Sequence, residues 1–132
     1  MIKTLRLSLL SLFTVLCGTM FADSWVKTSP ADLQTGDVVA IVDLTGSRAM
    51  SNDKGTANPP VATEITLNDA KTEISGDVAE NLQWVVTVKD GSYKFNIAGT
   101  EDYLYCTNDN NGVRVGSNTN NAFTITQSGE SK

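Results

Sequence analysis

No histidine occurs anywhere in the 132 residues. That gap excludes the Ser-His-Asp and Cys-His arrangements, the HExxH zinc motif and every imidazole acid–base step. Basic residues are also scarce: 10 Lys and Arg stand against 15 Asp and Glu, a formal charge of −5. A nucleic-acid backbone needs a basic patch, so this balance argues against a DNA or RNA partner. No apolar run reaches the roughly 20 residues that a helix needs to cross a bilayer, so no membrane span is expected.

What apolar sequence there is at the start has a different shape. Residues 1–22 read MIKTLRLSLLSLFTVLCGTMFA. Lys3 and Arg6 make a positive opening, Leu7 to Leu16 a mostly apolar core, and Ala22 a small residue before Asp23. This is the pattern of a cleavable secretory signal, and the expected location is secreted or periplasmic. Cys17 sets the alternative, a lipid anchor on a cysteine that ends the apolar run, although Leu16 before it is larger than such sites normally carry. Cleavage after Ala22 leaves residues 23–132, which we expect to be a single β-rich domain of 110 residues and charge −7. Cys106 is then the last cysteine, so no intrachain disulfide staples the domain and its core must hold it together.

Helical periodicity is absent after residue 25, and period-2 alternation recurs instead. Val38–Val42 is an apolar run between Asp37 and Asp43. Trp84, Val86 and Val88 alternate with Val85, Thr87 and Lys89, and the Asp90-Gly91 pair then marks a hairpin. Tyr93, Phe95 and Ile97 alternate with Lys94 and Asn96, and Tyr103 and Tyr105 with Leu104 and Cys106. Val113 and Val115 flank Arg114, and Phe123 and Ile125 flank Thr124. Arg48–Asn52 and Thr63–Leu67 are weaker strand candidates, and Asn58-Pro59-Pro60 excludes regular structure. Ser29–Leu33 has the marks of a single helical turn, with Ser29 as cap and Pro30 in first position. The class is all-β, with about eight short antiparallel strands.

A repeat lies inside this pattern. Gly36-Asp-Val-Val-Ala-Ile-Val aligns with Gly91-Ser-Tyr-Lys-Phe-Asn-Ile, Ser51-Asn-Asp with Thr107-Asn-Asp, and Trp84-Val-Val with Phe123-Thr-Ile. The alignments agree if the first copy carries an insertion around Thr56–Ser75. Each copy then holds four strands, the last opening on a large aromatic.

That order of strands resembles the four-strand unit of the β-trefoil, as in ricin-type lectin and fascin-like domains. It is also similar to small secreted bacterial modules that accompany extracellular hydrolases, in which a Trp segment like Ser24-Trp25-Val26 precedes a Gly-Asp strand like Gly36-Asp37. The resemblance implies an incomplete trefoil-like barrel with two units of three, and an open β-sandwich is the alternative. Ricin-type lectins carry Gln-x-Trp, whereas Gln83 and Trp84 are adjacent here. A barrel short of strands has free edges, which another copy or another protein would cover.

The chemistry-bearing residues are few. Thr107–Gly112 crowds oxygen ligands at a glycine turn but lacks the Asp at position one and the Glu at position twelve of a calcium loop. Cys106 alternates with Tyr105 and is expected to face inward beside Leu104. Trp84, Phe95 and Phe123 read as core. Tyr103 and Tyr105 share the opposite face from Leu104 and are the candidate ligand platform, with Trp25 as a further aromatic that either binds or plugs the core. The expectation is a non-catalytic module without cofactor or metal that binds carbohydrate or an extracellular protein. A structural or inhibitory protein acting by strand-edge pairing or self-association is the alternative.

Overall fold

A computed structural model of the chain describes residues 2–6, 24–53, 60–108, 110 and 112–126. The alternating segments form strands, and the all-β, antiparallel expectation holds. Among the described residues ten strands run in chain order: β1 Ile2–Arg6, β2 Ser24–Lys27, β3 Val38–Asp43, β4 Arg48–Met50, β5 Ala62–Glu64, β6 Glu73–Ile74, β7 Trp84–Lys89, β8 Ser92–Asn96, β9 Tyr103–Cys106 and β10 Val113–Gly116. Their path is β10-β9-β8-β7-β3-β1-β2-β6, with β4 on β3 and β5 on β4. Among the described residues the path is open and closes no barrel.

Two expected elements differ in detail. Phe123–Ile125 forms a single bridge, Tyr93↔Phe123, in place of an eighth strand. Pro30–Asp32 is the expected short turn, a 3-10 turn, but Ser29 caps it through its backbone carbonyl alone. Of the segment read as a leader, only Ile2–Arg6 is described. It pairs antiparallel with β2 on one side and β3 on the other. Cys17 and the apolar core of that segment lie outside the described residues, as do Asn58 and Pro59. No helix among the described residues is long and apolar enough to cross a membrane.

Because successive side chains of a strand point to opposite faces, β3 serves two cores. Val39 faces Leu33, Trp84, Val86, Phe95, Leu104 and Val115 in one cluster. Ala40 and Val42 face Trp25, Ala49, Ile74, Val78 and Leu82 in the other. Asp90 and Gly91 both take positive φ, 51° and 78°, the geometry that a two-residue β7–β8 hairpin demands.

The two copies read from the sequence hold the same pairings. In the first, β3 pairs with β4 at Val42↔Ala49 and with β7 at Val39↔Trp84, and β4 pairs with β5. In the second, β8 pairs with β9 at Asn96↔Tyr103 and meets Phe123 at Tyr93, and β9 pairs with β10. Val39 thus corresponds to Tyr93 and Val42 to Asn96. That register is one residue out from the glycine-anchored alignment, which a period of two turns into a change of face. The first copy's extra residues lie between β5 and β7, where β6 reaches across to β2.

Candidate functional site

The face of β7–β10 turned away from the core is set by parity. Asn96 stands opposite Val85 and Tyr103, Lys94 opposite Thr87, Tyr103 opposite Gly116, and Tyr105 opposite Arg114. Since Phe95, Leu104 and Val115 point into the core, Lys94, Asn96, Tyr103, Tyr105 and Arg114 share the other face. All five are half-buried, as expected of side chains that lie against one another while one side meets solvent.

Local contacts fix this face. Asn96 Nδ2 donates to the carbonyls of Thr100 (2.9 Å) and Asp102 (2.9 Å), which folds the β8–β9 loop back on the strand end beside Tyr103. Thr100 Oγ1 donates to the Ile97 carbonyl at 2.8 Å and tightens the same loop. At the far edge Tyr105 lies over Gly116: a Cβ built there would stand 3.4 Å from Tyr105 Cε1. Glycine therefore leaves room for the ring to lie along the sheet. Arg114 Nη1 donates to its neighbour's carbonyl, Val113 O, at 3.0 Å. The result is an aromatic and amide surface that carries Lys94 and Arg114, on a chain whose net charge is negative.

Tyr103 and Tyr105 are together, as their alternation predicts. Trp25 is not with them: it is 4% exposed and packs in the second cluster, opposite Ile74, so its ring is a core plug on the described surface. Trp84 and Phe95 are buried, and Phe123 packs half-buried against Phe95 with ring centroids 6.2 Å apart. Cys106 keeps the parity of Leu104 and pairs with Val113, which borders the first core. It is half-buried and not fully enclosed, a free thiol whose Sγ donates to the Asn108 carbonyl at 3.3 Å.

Lys94, Asn96 and Arg114 were not singled out in the sequence, although each alternates with a core residue. The signal was their parity, but only the β8–β9 and β9–β10 pairings join them to the tyrosines. Of the Thr107–Gly112 loop, Asp109 and Asn111 lie outside the described residues. Among the described residues no group of three or more His, Cys, Asp or Glu side chains is placed to hold a metal ion. Away from this face, an open cleft on β3–β5 is lined by Asp43, Arg48, Met50, Pro60 and Ala62. It gathers one cation and one carboxylate that already stand opposite each other across the ladder.

Comparison with known proteins finds no matching family model, no similar curated protein and no similar solved structure.

Proposed function

We propose that this chain is a secreted, non-catalytic binding module that takes carbohydrate on the Tyr103–Tyr105 face. The observation that carries the reading is the common placement of Tyr103, Tyr105, Asn96, Lys94 and Arg114 on one sheet face, half-buried and turned away from the core. Tyrosine rings supply rigid apolar area with a hydrogen-bonding tip at low entropic cost, which suits the apolar face and hydroxyl rim of a sugar ring. The two cations favour sugars that carry a carboxylate or sulfate, since Arg and Lys pair with such anions. The repeated four-strand pairing supports a trefoil-like origin for the module.

A glycan array probed with the full chain tests the reading. Binding to acidic glycans is expected, with loss of at least tenfold in Tyr105→Ala and Tyr103→Ala and a fall as salt is raised. An empty array, with capture of an extracellular protein that Tyr105→Ala abolishes, would move the reading to a protein partner on the same face. Binding unchanged in both tyrosine variants would overturn the site.

A further inference from the structure

The repeated pairing shows what β3 lacks. In the second copy β8 lies between two closing strands, β7 on one side and the Phe123 segment on the other. In the first copy β3 has β7 on one side, and β1 stands where the other closing strand would be. The correspondence holds residue by residue. Ile2 pairs with Ile41 and Thr4 with Val39, as Val86 pairs with Phe95 and Val88 with Tyr93.

The register of β1 sets Lys3 opposite Ala40 on one side and Lys27 on the other. β1 also belongs to the segment read as a cleavable leader, whose removal would leave the edge of β3 open. At the other end of the chain a closing strand is under-used. Phe123 exchanges both backbone hydrogen bonds with Tyr93 at 2.8 Å, and Thr124, Ile125 and Thr126 pair with no strand among the described residues. β7, its counterpart, pairs on both sides.

We propose that the β1-side edge of β3 accepts the Phe123–Thr126 strand of a second copy of this chain, each copy donating to the other about a two-fold axis. The repeat fixes the register: Ile125 opposite Ile41 and Thr126 opposite Ala40, because Val86 and Thr87 hold those places against Phe95 and Lys94. Ile41 and Ile125 each border the first core of their own chain, half-buried, so the exchange brings two apolar edges together. Reciprocal exchange closes the pair and prevents an open filament, and the main-chain ladder supplies the affinity. This reading is independent of the tyrosine face, which lies on β8–β10.

The test uses the full chain and light scattering. Lys3→Pro removes a ladder donor from β1, and the variant is expected to run as a dimer. Adding Thr126→Pro should return it to a monomer, because Thr126 makes no described hydrogen bond within its own chain. A folded Lys3→Pro monomer, or a dimer that survives Thr126→Pro, would overturn the proposal. Should Lys3→Pro fail to fold, Lys3→Gly, which weakens β1 in the ladder, carries Ile41→Cys with Ile125→Cys on a background of Cys17→Ser and Cys106→Ser. An intermolecular disulfide supports the register, and its absence after oxidation refutes it.

Discussion

The indole N–H of Trp84 donates to the Met50 carbonyl at 3.3 Å, joining the closing strand of the first copy to its second strand inside the core. Trp84 has no solvent exposure, so its indole N–H must find its acceptor inside the protein. Trp84→Phe keeps most of the apolar contact and removes the donor. The expected loss in urea unfolding is about 0.5–1.5 kcal/mol, the net worth of one hydrogen bond. Trp84→Ala adds a cavity and should cost about 3–5 kcal/mol. A Trp84→Phe chain as stable as the parent would show that the bond contributes nothing.

Asn52 clamps the turn that delivers Trp84. Its Nδ2 donates to the carbonyls of Glu80 (3.1 Å) and Gln83 (2.9 Å), and its backbone N–H donates to the Asn81 carbonyl. Asn52→Ala should cost about 1–2 kcal/mol through the lost bonds. Asn52→Asp should cost more at neutral pH, because a carboxylate then faces two carbonyl oxygens. Those oxygens disfavour the charged form, so the folded-state pKa of the new carboxyl lies above its unfolded value. The protonated form can donate one bond, so the gap between the two variants should narrow as pH falls through that raised pKa. Unfolding curves at pH 7 and pH 4 measure it, and a gap that widens on acidification would contradict the geometry.

Asp43, Arg48 and Glu64 stand in one row across β3, β4 and β5. The alternation of charge along the row is favourable, and each opposed pair contributes about 0.2–1 kcal/mol at most. Arg48→Glu makes three carboxylates in succession. The expected destabilisation is on the order of 1 kcal/mol at low salt and should shrink by 0.5 M sodium chloride, where the Debye length is roughly 4 Å. A salt-independent loss would point to the arginine's stem on the β3–β5 cleft as the working part.

The alternation of small runs made the strands legible, because a two-residue period is visible without knowing any partner. The glycine anchor misled by one residue. Gly36 sits before a separate Asp37, whose carbonyl accepts from Val86 N–H, while Gly91 is the second residue of a tight hairpin that leads straight into β8. Equivalent glycines thus lie at different distances from equivalent strands. The burial of Trp25 is illegible for a related reason: it is set by partners distant in sequence, Ala40, Val42 and Ala49 together with Ile74 on β6, a strand within the first copy's extra residues. Parity alone placed Tyr103 and Tyr105 together. Lys94 and Arg114 join them through pairings between strands, which no single segment encodes.

Gly116 separates the role of that face from the stability of the sheet. It takes no positive φ, so an L side chain meets no backbone penalty there, and its Cβ would contact Tyr105 Cε1 at 3.4 Å. Gly116→Ala should therefore be tolerated, with Tyr105 giving a few tenths of an ångström. Gly116→Val, whose branched carbons project further along the sheet, must swing the ring away from β10. The expected outcome is a moved Tyr105 ring resonance in NMR spectra and glycan binding reduced at least fivefold, while Gly116→Ala stays within twofold of the parent. Should Gly116→Val move the Tyr105 resonance and leave binding intact, the orientation of that ring is not what the ligand reads, and Tyr103 with Asn96 becomes the centre of the site.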